Sequence, residues 1–189
     1  MQITIRTPQD LWNDTLELAK QVIASRKKYD AIVGISPGGT IISRSLGDLL
    51  NCPVQFQFEM LGQECESLEE TESPVMLNLS PNQKKFLKNK RVLLVDDVVE
   101  SGDKMIVAIE LLQKECGTEI DTFALYRRSY TKLDLTFSLK EFSHWIVMPY
   151  EYCTMIRYFL KEKQFSPDKI KEIFPKDLLE TLKDFIPEL

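Results

Sequence analysis

The sequence predicts an α/β fold: a mainly parallel, twisted sheet flanked by helices, with a C-terminal helical extension. Three observations carry this. Segments of helical periodicity alternate with short apolar runs from Thr7 to Met148. Two of those runs end in glycine-containing turns that lead straight into helix-like stretches, Ser36-Pro37-Gly38-Gly39 and Glu100-Ser101-Gly102-Asp103-Lys104. Finally, 43% hydrophobic and 28% charged residues in a chain of 189 is the composition of an ordinary folded protein, not a disordered one. That length fits one domain over residues 1–189, with a core at about 29–157, an N-terminal helix at 7–26 and a helical tail at 166–189.

Thr7-Pro8-Gln9-Asp10 has the form of a capping box with proline at the first helical position. Leu11, Thr15, Leu18, Ala19 and Val22 then share one helical face, so a helix is expected to about Arg26. Tyr29 to Ile35 reads as a short buried strand, and Ile41, Ile42, Leu46, Leu49 and Leu50 place a helix directly after Gly38-Gly39. Val54 to Met60 alternates apolar and polar residues, as a half-exposed strand does. Residues 61–90 break the pattern. Glu59, Glu64, Glu66, Glu69, Glu70 and Glu72 make an acidic run with no Lys or Arg before Lys84. It reads as a solvated loop or as a lid over a site. Val92 to Val95 is apolar throughout, as in a strand buried on both faces, and is expected to end at Asp96-Asp97. Met105 to Leu112 fits a helix, while Thr122 to Tyr126 and His144 to Met148 read as further strands. In the tail, Ser166-Pro167-Asp168 is a helix start and Pro175 a break, giving one or two amphipathic helices on the outside.

Composition also excludes. A net charge of −5 without a basic patch argues against nucleic acid as a partner. Cys52, Cys65, Cys116 and Cys153 are scattered, with no CxxC pair, and read as thiols in a reducing compartment. The first eight residues lack a signal-peptide core, and no apolar run approaches membrane-spanning length, so a cytoplasmic protein without a membrane partner is expected. Neither GxxxxGK[ST] nor GxGxxG occurs, which removes the main support for nucleoside-triphosphate hydrolysis or dinucleotide binding.

The stretch from Arg91 to Lys104 is the most informative. Strand, acidic pair, Ser-Gly turn and helix together make a loop whose N–H groups converge at a helix N-terminus, a seat for a phosphate. Paired carboxylates beside it accept hydrogen bonds from sugar hydroxyls or hold a hydrated divalent metal. The pattern fits a ligand with a phosphate at one end and a ribose in the middle.

Val-Leu-Leu-Val-Asp-Asp-Val-Val-Glu-Ser-Gly-Asp-Lys-Met, residues 92–105, resembles the signature of type I phosphoribosyltransferases. Gly34-Ile-Ser-Pro-Gly-Gly39 resembles their pyrophosphate loop, and His144-Trp-Ile-Val-Met-Pro-Tyr-Glu151 the C-terminal element of the 6-oxopurine members. Receiver domains of two-component signalling also end an apolar strand in an acidic pair. They begin near that strand, however, whereas 90 residues precede Arg91 here, and neither Asp121 nor Asp134 suits their phosphorylation site.

The resemblance implies a type I phosphoribosyltransferase-like fold that moves a 5-phosphoribosyl group from 5-phosphoribosyl-1-pyrophosphate (PRPP) to N9 of a 6-oxopurine, releasing pyrophosphate. This is the chemistry of purine salvage, with Mg²⁺ as cofactor. Asp96 and Asp97 would hold the ribose hydroxyls directly or through metal-bound water, and Glu100, Ser101, Gly102, Asp103 and Lys104 would wrap the 5-phosphate. Glu100 matches an acidic residue facing N7 of the base, a general-base position. Ser36, Pro37, Gly38, Gly39 and Arg157 would receive pyrophosphate. Arg128, or in second place Arg127, would meet the 6-oxo group; Trp145 would stack on the purine and Ile146 contact its edge. Glu151 matches an Asp at a second metal beside the base. The partners implied are PRPP, a purine base and further copies of the chain, as a dimer or tetramer.

Three departures stand out. Lys104 and Asp103 replace the usual end of the phosphate loop, and Pro37 stands where the family commonly carries Lys or Arg. The family's loop often holds a cis peptide at that point, so a cis Ser36–Pro37 bond is expected. The alternative on the same fold is a non-catalytic PRPP- or nucleotide-binding regulator.

Overall fold

The computed structural model describes residues 2–52, 55–61, 75–76 and 79–188. Apart from the backbone of Glu59, the acidic run expected to form a loop or lid lies outside them, as does Cys65. In chain order the first elements are β1 (Ile3–Ile5), α1 (Pro8–Ala24), β2 (Ala31–Ser36), α2 (Gly38–Leu49), β3 (Gln55–Leu61), β4 (Val75–Met76) and α3 (Pro81–Leu87). Then follow β5 (Arg91–Val99), α4 (Asp103–Cys116), β6 (Glu119–Arg128), β7 (Phe137–Phe142) and β8 (Trp145–Val147). A 3₁₀ turn (Pro149–Glu151), α5 (Tyr152–Lys161), α6 (Pro167–Ile173) and α7 (Lys176–Leu182) complete the chain. Among the described residues no helix is long and apolar enough to cross a membrane. The elements form two compact units, Asn13–Ser143 and the pair of segments Met1–Trp12 and His144–Leu189.

The larger unit holds a six-stranded sheet in the order β4-β3-β2-β5-β6-β7. Its pairings are parallel except for β3 with the short edge strand β4. β2 is buried from Ala31 to Ile35 and β5 from Val92 to Val95, as continuous apolar runs require of strands covered on both faces. Alternate residues divide between the faces. Ala31, Val33, Ile35, Val92 and Leu94 join Leu87 of α3 and Met105, Ala108 and Leu112 of α4 in one core. Each Val, Leu, Ile or Met side chain among them withdrawn from water contributes about 1.5–3 kcal/mol. Gly34 points the other way, where a Cβ would lie 2.6 Å from Ser43 Oγ of α2, so a side chain there would push the helix off the sheet. α1 is anchored through Asp14, which is buried, accepts from the Tyr126 hydroxyl of β6 and pairs with Lys140 Nζ of β7 at 3.0 Å.

At the amino-terminal ends of these strands a second buried carboxylate is neutralised on several sides. Asp121 lies 2.6 Å from Lys27 Nζ, accepts from the Tyr29 hydroxyl at 3.0 Å and sits 3.7 Å from Arg91 Nε. Burial pushes its pKa up, but the hydrogen bonds from Lys27 and Tyr29 and the charges of Lys27 and Arg91 outweigh that and hold it below the usual carboxylate value. Sequence reading placed Asp121 before its strand. It is instead within β6, opposite Leu93 of β5, because the ladder with β5 starts two residues earlier at Arg91 and Glu119.

The smaller unit pairs β1 with β8 in a parallel two-stranded sheet, Ile3 opposite Trp145 and Ile5 opposite Val147. His144 to Met148 therefore does contain a strand, but not one of the six-stranded sheet. Its partner is three residues long, too short to announce itself by periodicity. Val147, Ile156, Phe159, Ile170, Phe174 and Ile186 form this unit's core with α5, α6 and α7. α6 starts where the sequence indicates, with Ser166 Oγ accepting from Lys169 N at 3.2 Å, and Pro175 marks the start of α7. The box at the start of α1 is reciprocal: Thr7 N donates to Asp10 Oδ2 at 2.9 Å, and Asp10 N to Thr7 Oγ1 at 3.0 Å.

Candidate functional site

Sheet order explains where a site forms in the larger unit. From β2 the chain adds β3 on one side and later β5 on the other, so the loops leaving β2 and β5 diverge from adjacent strand ends. In open α/β sheets this reversal opens a crevice at the carboxyl ends of the strands. The residues that emerge there are Ser36, Pro37, Gly38 and Gly39 from β2, and Asp96 to Lys104 from β5.

The two motifs touch. A Cβ on Gly38 would fall 2.3 Å from Oδ1 of Asp97, and one on Gly39 would fall 2.3 Å from the Val95 carbonyl oxygen. Only glycine lets the start of α2 sit this close to β5, so the paired glycines serve close approach and bring the Asp97 carboxylate onto the Gly38 backbone. The Ser36–Pro37 bond is cis, as expected, and Pro37 precedes the first turn of α2 without a side-chain cap.

The acidic pair does not end its strand. β5 runs on to Val99 because Val98 and Val99 continue the ladder against Tyr126 and Arg127 of β6. Asp96 and Asp97 are therefore held by sheet hydrogen bonding rather than by a loop. Asp96 is only 8% exposed, and its Oδ1 accepts from the Asp97 N–H at 2.9 Å. Burial, then the charge and side-chain hydrogen bonding of Asp97, drive the Asp96 pKa well up; the Asp97 N–H and the Lys104 charge oppose this without cancelling it.

After β5 the chain turns through Ser101 and Gly102 into α4. Gly102 has φ +97°, in the left-handed region that favours glycine, and begins the helix without a side-chain cap. Ser101 Oγ donates to Asp103 Oδ2 at 2.8 Å, so the acidic departure at Asp103 is engaged inside the turn itself. Glu100 is met by Arg128, whose Nη2 and Nε lie 3.0 and 3.3 Å from Oε1, and by the Tyr130 hydroxyl at 3.3 Å from Oε2. Arg128 is 7% exposed and belongs to the end of β6. Arg127, on the same strand, pairs with Glu141 of β7 at 3.0 Å. The structure thus brings Glu100 and Arg128 together, and adds Tyr130, which sequence reasoning missed because an isolated Tyr in a polar stretch carries no spacing signal.

Four candidates lie in the smaller unit. Trp145 is half-buried, its ring near-parallel to Tyr158 at 6.1 Å between centroids and edge-on to Phe159 at 6.4 Å. Ile146 is buried in β8 opposite Thr4. Glu151 Oε1 accepts from Met148 N at 2.9 Å, closing the 3₁₀ turn on itself. Arg157 is exposed on α5 and donates to the Phe185 carbonyl at 2.7 Å, tying that helix to the C-terminal segment.

Among the described residues no three His, Cys, Asp or Glu side chains converge as a metal cluster. Asp96 and Asp97 form a pair, the donor set of a site that takes one or two carboxylates and leaves its other positions to water and ligand oxygens. Cys52, Cys116 and Cys153 are thiols outside any disulfide, as their spacing suggested.

Comparison with known proteins bears on the family and the fold. Residues 9–153 match the phosphoribosyl transferase domain family. Among solved structures, a purine phosphoribosyltransferase from Pyrococcus horikoshii OT3 is similar at 24% identity and TM-score 0.64, over 80% of this chain and 95% of that one. The xanthine-guanine-hypoxanthine phosphoribosyltransferase of Helicobacter pylori is similar at 20% identity and TM-score 0.68, over 82% and 98%. A hypothetical protein from Neisseria gonorrhoeae with bound ppGpp is similar at 22% identity and TM-score 0.66, over 87% and 98%. At these identities the likeness is one of fold. No curated protein matches the chain by sequence.

Proposed function

The chain belongs to the phosphoribosyl transferase domain family, and from that premise we propose that it transfers the 5-phosphoribosyl group of PRPP to N9 of a 6-oxopurine. The observation that carries the reading is the seating of Asp97 on Gly38. It brings the acidic pair against the turn that starts α2, while the turn that starts α4 follows the same strand, and this supports a reading of pyrophosphate, ribose and 5-phosphate along PRPP.

Asp96 and Asp97 accept from the ribose hydroxyls and orient the sugar. The N–H groups of the turn at 100–104 receive the 5-phosphate, and Lys104 adds a cation. In the step itself the C1′–O bond to pyrophosphate breaks with its electron pair leaving on oxygen, and the purine N9 lone pair forms the new C1′–N bond. Glu100, oriented by Arg128, takes the proton that the base gives up. Mg²⁺ held by Asp96 and Asp97 would neutralise charge on the departing pyrophosphate. Roles for Trp145, Ile146 and Glu151 toward the base, for Glu151 toward a second metal, and for Arg157 toward pyrophosphate rest on the family resemblance alone.

A second reading is favoured by specific side chains: the neutral Pro37 in the pyrophosphate loop and the carboxylate of Asp103 in the phosphate turn. Both weaken anion capture, and a relative of the same fold is described with ppGpp bound. On this reading the protein binds PRPP or a nucleotide as a regulator without turnover. Incubation with PRPP, Mg²⁺ and each purine or pyrimidine base, following pyrophosphate release, tests both. Release with a 6-oxopurine supports the transferase; saturable PRPP binding without release with any base supports the regulator.

A further inference from the structure

Residues 130–133, which no motif singled out, follow the phosphate turn residue by residue. The Tyr130 hydroxyl reaches the Glu100 carboxylate at 3.3 Å. Thr131 Oγ1 lies 3.0 Å from the Val99 carbonyl oxygen and also within hydrogen-bonding reach of that of Glu100, so its one proton is shared between them. Lys132 N donates to the Ser101 carbonyl at 3.0 Å. Leu133 packs on Gly102, its Cβ 3.0 Å from where a glycine Cβ would stand. The segment is itself held by a turn in which Thr131 N donates to the Arg128 carbonyl at 3.1 Å.

The carbonyls of Val99, Glu100 and Ser101 are all engaged on this one side. In a trans peptide the N–H points opposite to the C=O it is bonded to. The N–H groups of Glu100, Ser101 and Gly102 therefore face away from the segment, and among the described residues nothing accepts from them. Three successive N–H groups aimed one way make an anion-binding nest.

We propose that residues 130–133 are a positioning strap that turns the loop after β5 into a phosphate receptor, with Thr131 its central residue and Tyr130 its link to Glu100. The inference rests on the transferase reading above and assigns residues that act through the loop rather than on the ligand.

The test is calorimetric titration of the full chain with PRPP and Mg²⁺, alongside thermal unfolding and pyrophosphate-release kinetics. Thr131→Val removes the donor and keeps the shape. It is expected to weaken PRPP binding about tenfold, the size of one lost hydrogen bond, and Thr131→Ser is expected to restore it. Tyr130→Phe alters an exposed side chain, so folding is spared even if Thr131→Val fails to fold. It is expected to lower kcat several-fold at unchanged PRPP affinity. Wild-type PRPP affinity in folded Thr131→Val, or unchanged kcat in Tyr130→Phe, overturns the strap while leaving the transferase reading standing. A wild-type protein that binds no PRPP overturns both.

Discussion

The six-stranded sheet carries a buried aspartate near each end, and the two are treated in opposite ways. Asp121, at the amino-terminal end, is surrounded by Lys27, Tyr29 and Arg91, and its pKa is held low. Asp96, toward the carboxyl end, is as deeply buried but has Asp97 for its nearest charge, and its pKa is driven up. A fold has no reason of its own to bury a carboxylate beside a second one of like charge. On the proposed function, the aspartate ringed by cations serves the fold, and the one set against a like charge at the switch point of the strands serves a ligand.

The strongest way to break this contrast is to replace the pair. Asp96→Asn with Asp97→Asn is expected to abolish PRPP binding in calorimetry, while the thermal midpoint stays level or rises because a buried like-charge repulsion is gone. Unchanged affinity in the folded double variant would sink the assignment. Glu100 sharpens it, since this carboxylate is paired like Asp121 but lies exposed at the ligand end. Glu100→Gln is expected to lower kcat about 100-fold with PRPP affinity little changed; lost stability with intact turnover would make it merely structural. At the other end, Asp121→Asn strands Lys27, Tyr29 and Arg91 and is expected to cost about 1–3 kcal/mol of stability by chemical denaturation, with PRPP affinity unaltered.

The smallest effect is in pH, and its sign differs between the two. The depressed pKa of Asp121 contributes stability that is present above the unfolded carboxylate value and lost as pH falls through the folded one. The stability gap between wild type and Asp121→Asn should therefore close in acid. The raised pKa of Asp96 acts the other way: its penalty is absent in acid and grows as pH rises above the unfolded value. A gap between wild type and Asp96→Asn that widened on acidification would refute this sign.

Much of the fold was legible because its signals are local. The capping box at Thr7, the continuous apolar runs of β2 and β5, and the helix starts after Gly39 and Gly102 each depend on a few neighbouring residues. The strand placement of Asp96, Asp97, Arg127 and Arg128 was not legible. Whether β5 and β6 stop at a carboxylate or an arginine depends on what each finds across the ladder, and that is a long-range fact. β1 and β7 escaped for the same reason: one is three residues long, and the other shows a mixed burial pattern without clean alternation. That the Trp145 ring lies beside Tyr158 is likewise a long-range fact.

The sequence by itself determined the α/β class, the two glycine turns, the acidic pair and the cis-compatible Pro37, because each is written in residues adjacent along the chain. Tertiary structure alone decided that Asp97 rests on Gly38, that Arg128 and Tyr130 meet Glu100, that Asp121 is neutralised, and that residues 130–133 run along the turn after β5. The residues in those contacts are separated by 28 to 94 positions wherever a hydrogen bond joins their side chains. No periodicity spans such distances. Only the sheet order, which sets β2 beside β5 and β5 beside β6, brings them within reach.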